Sequence, residues 1–349
     1  MYKEDHKLLQ EIKNIRNLTP QTMTGYKSTI QEYTRYQQKS FTSLIREAER
    51  EEKQQIPWKN RQIRQRLINF RNHLIQKNLM IKTITAYLQR IKTIYYTYEI
   101  EIRPLPYISK NTIRKPKPLS YNDLPTKNEL KQVILMSKPV FSAIVLFMTS
   151  TGCARKETLS LTINDFIQST KKYHNKNDVY DVLEILRGKE NIIGEWEIYR
   201  HKTSKYYTTF SSPESMTYLI SYLYSRNDKL TLNSKLFKVN EHYLSEFFTS
   251  MNTRLKLGKT GTYNKLRSHA LRKFHASNLY NDGMSLDYVN ELQGKSKNKT
   301  DTAYFMINPL ILRNEYVKHL NAINIMTQVD EGICNKLDLS DLEDFSGFY

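Results

Sequence analysis

Cysteine is almost missing from this 349-residue chain. Cys153 and Cys334 are the two present, too few for a disulfide framework and in keeping with a reducing compartment. Long apolar runs are missing as well. The longest, Val140 to Met148, falls well short of the roughly 20 residues a bilayer span needs. The start, Met1-Tyr-Lys-Glu-Asp-His, carries charge where a secretory leader carries an apolar core. The expectation is a cytoplasmic protein, neither secreted nor membrane-bound. Acidic residues are in deficit: 35 Asp+Glu against 54 Lys+Arg leave a net charge of +19 and a pI near 9.6. Such an excess repels itself in a compact state and usually has a polyanion as its partner. There is no fixed-period repeat of the solenoid kind.

What is present suffices for two packed domains. Hydrophobic residues make up 39% of the chain and charged residues 26%, so real cores can be buried. The boundary falls at Arg103–Pro118, where Pro104, Pro106, Pro116 and Pro118 forbid a continuous helix among basic residues. Residues 1–102 are expected to form a helical domain, 103–118 a linker, 119–329 a larger mixed domain, and 330–349 an acidic tail. Up to Pro118 there are 24 Lys+Arg and 10 Asp+Glu, a net +14; the remainder of the chain carries 30 and 25, a net +5. In the first part, Thr19-Pro20 opens a helix with a cap and a first-position proline. A second helix is expected from about Phe41 to Gln54. Stripes at Met23, Tyr26, Ile30, Tyr33 in the first helix, at Ile63, Leu67, Phe70, Leu74 and at Ile84, Tyr87, Leu88, Ile91, Ile94, Tyr95, Tyr98 complete a bundle of four amphipathic helices. In the second part, segments near 127–136, 140–149, 155–161, 213 onward, 241–255, 268–281 and 309–325 read as helices. Segments 179–186, 194–199 and 206–210, rich in β-branched and aromatic residues, read as strands.

Four segments carry residue types suited to a phosphodiester: a nucleophile, fixed cations and a proton donor. Thr151-Gly-Cys-Ala-Arg155-Lys-Glu157 delivers an arginine at a helix start, or simply a solvated charged face. Arg200-His-Lys202-Thr-Ser-Lys205 places lysines at a hairpin tip, either solvated or reaching toward a groove. Ser268-His269-Ala-Leu-Arg272 sets a histidine and an arginine three apart on one face of a helix, with Ser268 as its expected cap. Gly294-Lys295 precedes Tyr304 by nine residues; core packing explains most of the 25 tyrosines. His275 falls on another face and reads as packing or surface.

Taken together and in this order, the four segments resemble the tyrosine recombinase (phage integrase) family over roughly residues 120–325. The phrases TGCARKETLSLTINDF, HKTSKYYTTFSSPES and SHALRKFHASNLY look most like integrases of archaeal viruses and integrated elements. The N-terminal bundle is similar to that family's core-binding domain. The resemblance implies a mainly α fold with a small antiparallel β-sheet, and a site-specific recombinase that clamps duplex DNA in a C shape. Tyr304 would attack the scissile phosphate to form a 3′-phosphotyrosyl link. Arg155 and Arg272 would hold the non-bridging oxygens, Lys202 would protonate the departing 5′-oxygen, and His269 would assist proton transfer. Lys295 would fill the position usually held by His or Trp, with Glu157 orienting the histidine or an arginine. Arg61, Arg64, Arg66, Arg71, Lys82, Arg90 and Lys205 are candidates for contacts to the DNA backbone. The resemblance further implies no metal or other cofactor, a homotetramer on double-stranded attachment-site DNA, a monomer or dimer when free, and a nucleoid-associated location.

Two positions depart from the commoner pattern. Ala154 stands where the arginine of the turn usually is, and Lys295 replaces His or Trp; Glu157 keeps its usual distance from Thr151, which points to a variant subgroup. A Xer-type dimer resolvase and a family member that only binds DNA are the alternatives. The tail from Asp330 to Tyr349 mixes acids with Ile333, Leu337, Leu339, Leu342, Phe345 and Phe348, and is expected either to dock on a neighbouring protomer or to mask the basic cleft.

Overall fold

A computed structural model describes residues 1–107, 118–200, 202–295 and 307–326. The chain divides into two compact units, Met1–Pro118 and Leu119–Tyr349. The first is a bundle of α1 (Lys3–Arg16), α2 (Pro20–Gln37), α3 (Phe41–Lys53), α4 (Gln62–Gln76) and α5 (Ile81–Thr97). The expected four helices are thus five. The short stripe Leu8, Leu9, Ile12 is buried against the others, and α1 also caps a neighbour. Asp5 Oδ1 accepts the Phe41 N–H at 2.8 Å and the Thr42 N–H at 3.3 Å, satisfying donors that α3 cannot satisfy within itself. The predicted stripes of α2, α4 and α5 all face inward, and Tyr33, Phe41, Phe70 and Tyr95 form the fully buried centre. Tyr33 meets Phe70 edge-on with ring centroids 4.9 Å apart, the geometry aromatic quadrupoles favour.

The second unit is built around α7 (Pro139–Thr151), buried continuously from Phe141 to Thr151. It packs against α6 (Lys127–Leu135), α11 (Pro213–Tyr224) and α13 (Ser268–Asn281). The short helices α8 (Arg155–Ser160) and α9 (Ile163–Ser169) follow it. The expected strand over 179–186 is instead a helix, α10 (Val179–Arg187). Its buried residues, Val179, Val182, Leu183 and Leu186, recur at helical spacing, and the Asp178 side chain accepts the N–H groups of Tyr180 and Asp181; periodicity and cap outweigh β-branched composition. The other two expected strands exist. β1 (Gly194–Arg200) and β2 (Lys205–Ser211) form an antiparallel hairpin with Arg200 opposite Lys205. Trp196 anchors it, its Nε1 donating to Ser211 Oγ at 2.9 Å and its ring edge-on to Phe147.

α12 (Glu241–Arg254) and the two-residue strands β3 (Lys259–Thr260) and β4 (Tyr263–Asn264) lead into α13. Ser268 is the first residue of α13 rather than its cap: Arg267, with extended backbone, holds the cap position and no side chain closes it. α14 (Leu286–Leu292) packs on β2 and α13. The helix expected over 309–325 is two, Pro309–Lys318 and Leu320–Ile323, parted at His319. Glu214 then takes the N–H groups of Ile325 and Met326 at 2.8 and 2.9 Å. The result is a mostly helical protein with small antiparallel sheets, as the sequence suggests.

Candidate active site

Three chain segments meet at one carboxylate. α7 ends where Gly152 turns left-handed at φ +67°, and a Cβ there would lie 2.5 Å from His275 Nδ1. That turn delivers α8, whose Glu157 is buried at 6% exposure. Glu157 Oε2 accepts the Ala154 N–H at 2.7 Å and the Tyr207 hydroxyl at 2.9 Å. Arg272 of α13 approaches from one side, its Nη1 3.6 Å from Oε2. Arg200, at the end of β1, approaches from the hairpin, its Nε 3.5 Å from Oε1.

The turn after α14 gathers the same two guanidinium groups. Arg272 Nη2 donates to Gln293 O at 2.5 Å and its Nη1 to Gly152 O at 2.6 Å. Arg200 Nη1 donates to Gln293 O at 2.7 Å and Gly294 O at 2.8 Å. One carbonyl therefore serves both arginines. Gln293 returns its Nε2 to Arg272 O at 2.9 Å and stands 3.1 Å from His275 Nδ1. Gly294 can lie here because it is left-handed at φ +56° and a Cβ would fall 2.4 Å from the Tyr207 ring. Lys295 follows, half-buried; burial, then the charges of Arg272 and Arg200, hold its ammonium below the ordinary lysine value. Arg200 is held below the ordinary arginine value by burial and by Arg272. Among the described residues, two guanidinium groups thus converge on a single buried carboxylate, and the Lys295 ammonium adds its charge beside them, an arrangement that favours a further anion.

His269 stands one helical turn before Arg272, its side chain exposed. Partial burial, then the charges of Lys273, Arg267, Arg272 and Lys202, push its imidazole below the ordinary histidine value, so it is a neutral base at neutral pH. Lys202 is exposed on the hairpin turn. Tyr304 lies outside the described residues. Tyr207, which donates to the carboxylate, is spent on it; burial first, then Cys153 and Glu157, drive its hydroxyl far above the ordinary range.

The structure brings Arg272, Glu157 and Lys295 together, but not Arg155. That side chain turns to α12, Nη1 donating to Ser245 Oγ at 2.7 Å and Nη2 to Glu241 Oε2 at 2.9 Å. In its place stands Arg200, which the sequence reading passed over beside Lys202. His275, read there as packing or surface, is fully buried; burial and then the charges of Arg272 and Lys295 push it down to about 3. Of the candidate DNA contacts, several are bound within their own unit. Arg61 pairs with Glu52, Arg66 forks onto Glu47, and Arg71 donates to Pro106 O at 2.6 Å. Arg90 reaches Thr29 Oγ1 at 3.5 Å, and Lys205 pairs with Glu291 at 2.9 Å. Lys82 is exposed and Arg64 half-exposed. Among the described residues, no group of three His, Cys, Asp or Glu side chains is placed to hold a metal ion, and no helix is long and apolar enough to cross a membrane.

The phage integrase family matches residues 126–309, more than half of the chain. No curated protein matches the sequence. Among solved structures, the chain is similar to the Tn1549 transposon integrase in complex with transposon right end DNA, at 14% identity and a TM-score of 0.52, covering 90% of this chain and 98% of that one. It is also similar to XerH site-specific recombinase bound to palindromic difH substrate in a post-cleavage complex, at 17% identity, TM-score 0.50, covering 88% and 82%. A lambda integrase tetramer bound to a Holliday junction gives 12% identity, TM-score 0.50, covering 86% and 77%.

Proposed function

Because the chain belongs to the phage integrase family, we propose that it is a site-specific DNA recombinase that breaks and rejoins duplex DNA through Tyr304. The observation that carries this reading is the convergence of Arg272 and Arg200 on one buried carboxylate, with the charge of Lys295 and a neutral His269 beside them. A phosphodiester is the anion such a basin fits. In the reaction, the Tyr304 phenolic oxygen bonds to phosphorus, its proton passing to His269, while the bond to the 5′-oxygen breaks. Lys202, on its exposed turn, supplies the proton to that leaving oxygen. Arg272 holds charge on the non-bridging oxygens, and Lys295 adds a movable donor. One phosphoester replaces another, so rejoining, in which a 5′-hydroxyl displaces Tyr304, needs no outside energy source. The basic first unit would supply backbone contacts, with Arg64 and Lys82 available for them. A homotetramer on DNA and a mobile-element setting belong to the same proposal.

The test uses nicked duplexes, in which a short strand diffuses away after cleavage and traps the covalent adduct. The probes are the element's attachment site or a pool with randomised cores. Wild-type protein is expected to yield an SDS-resistant adduct that Tyr304→Phe does not. Adduct with both proteins would move the nucleophile elsewhere. Specific binding without any adduct would make the chain a DNA-binding member that does no chemistry.

A further inference from the structure

We propose that Arg200, not Arg155, is the second guanidinium that grips the reacting phosphate alongside Arg272. The inference rests on the recombinase reading above and names a catalytic residue for it.

The case begins with position 154. The residue there is alanine, its N–H held by Glu157 at 2.7 Å, so the turn itself supplies no cation. Arg155, one residue later, is committed elsewhere, with Nη1 on Ser245 and Nη2 on Glu241. Its charge is matched by a carboxylate on α12, a helix that takes no part in the basin. Bringing it to the basin would require breaking both contacts.

Arg200 already occupies the place. It shares the Gln293 carbonyl with Arg272 and shares Glu157 with it as well. Its side chain is 13% exposed, so it is largely, not wholly, withdrawn from solvent. Nε is buried without a hydrogen bond, facing Glu157 Oε1 at 3.5 Å as an ion pair only, and Nη2 makes none among the described residues. Among the described residues, two donors on one edge of the guanidinium thus have no hydrogen-bond acceptor, beside a buried like charge. A buried donor without a partner is costly unless something arrives to take it. A tetrahedral oxyanion with two oxygens, one for each arginine, is such a group, and its charge would relieve the repulsion between them.

The plain alternative is that Arg200 merely pins the hairpin to the turn after α14. The two roles separate by charge. A pin is needed whatever the substrate, whereas an arginine that neutralises a phosphate oxygen is dispensable when that oxygen is replaced by a neutral methyl group.

Two measurements on the full chain decide the matter. In the first, inorganic phosphate is titrated and the thermal midpoint followed for wild type, Arg200→Gln, Arg272→Gln and Arg155→Gln. Phosphate is expected to raise the midpoint of wild type and Arg155→Gln, but not of the other two. In the second, adduct formation is timed on nicked DNA carrying either a normal phosphate or a methylphosphonate at the cleaved position. Arg200→Ala is expected to lose about 10²–10³-fold on the phosphate and to recover most of that on the methylphosphonate; Arg155→Ala is expected to stay within about threefold of wild type on the phosphate, the ordinary effect of a surface change. Arg200→Lys serves where Arg200→Ala folds poorly. Equal losses by the Arg200 variants on both substrates, or phosphate stabilisation and methylphosphonate recovery that follow Arg155, overturn the proposal. If wild type yields no adduct while phosphate binding still depends on Arg200 and Arg272, the recombinase reading falls and the anion site stands.

Discussion

Replacing Glu157 by glutamine should destabilise the second unit more than any exposed substitution could. The carboxylate lies 3.5 and 3.6 Å from two guanidinium groups. At an effective dielectric constant of about 20, each attraction amounts to roughly 5 kcal/mol, part of it offset by desolvation. Removing one partner of a buried ionic cluster costs about 3–5 kcal/mol, because the remaining charges stay buried and unmatched. Glutamine can keep one of the bonds from Tyr207 and the Ala154 amide, which sets the expectation near the lower figure. For a unit of this size each kcal/mol moves the midpoint by about 2–4 °C, so the transition should fall by roughly 10 °C. The assay is thermal unfolding followed through Trp196, which is 1% exposed, in a Trp58→Phe background that silences the other tryptophan. Sulfate should stabilise the variant more than wild type, since an added anion takes over the missing charge. A fall below about 2 °C, or identical sulfate responses, would refute the view that this carboxylate holds the two arginines together.

Three other perturbations test neighbouring parts. Gly294→Ala adds a Cβ 2.4 Å from the Tyr207 ring at φ +56° and should cost about 2–5 kcal/mol by strain and overpacking; urea unfolding checks it. His275 is neutral in the fold, pushed down to about 3, but takes a proton at its ordinary value of about 6.5 when unfolded. Stability of the second unit should therefore fall as pH drops below that value, by about 2 kcal/mol at pH 5, and a His275→Asn variant should lack this slope. Asp5→Ala removes the acceptor for two α3 amides and should lower stability of the first unit by about 1–2 kcal/mol, measured by denaturant midpoint. Because burial raises the Asp5 carboxyl above 3.8, wild-type stability should also decline as pH rises through the window just above that value, and this decline should vanish in the variant.

Local signals carried much of the architecture. Thr19-Pro20 and Ser212-Pro213 mark helix starts that the structure places at Pro20 and Pro213, the Thr19 and Ser212 side chains accepting the N–H groups of Thr22 and Ser215. Segment 194–211 reads as a hairpin because its aromatic and β-branched residues flank a polar turn. Segment 179–186 misleads because the same residue types fit either period, and the Asp178 cap is easily overlooked. α1 escapes notice because three buried apolar residues make a thin stripe. The site divides in the same way. His269 and Arg272 are visible as a pair three apart on one helix, whereas the joining of Arg200 to Gln293 spans 93 residues and follows from packing alone. The arginines at the start of α4 and within it look like a binding face in sequence; Glu47, Glu52 and the Pro106 carbonyl, which claim Arg66, Arg61 and Arg71, lie on other segments.

The meeting of Arg272 and Arg200 on the Gln293 carbonyl has a consequence for descent. A vertex assembled from a helix, a hairpin and a turn is indifferent to which of them contributes the second charge. With arginine at 200, an alanine at 154 leaves the pair of charges intact. On the proposal that Arg200 is the second guanidinium, an arginine restored at 154 should be tolerated, whereas loss at 200 should abolish adduct formation.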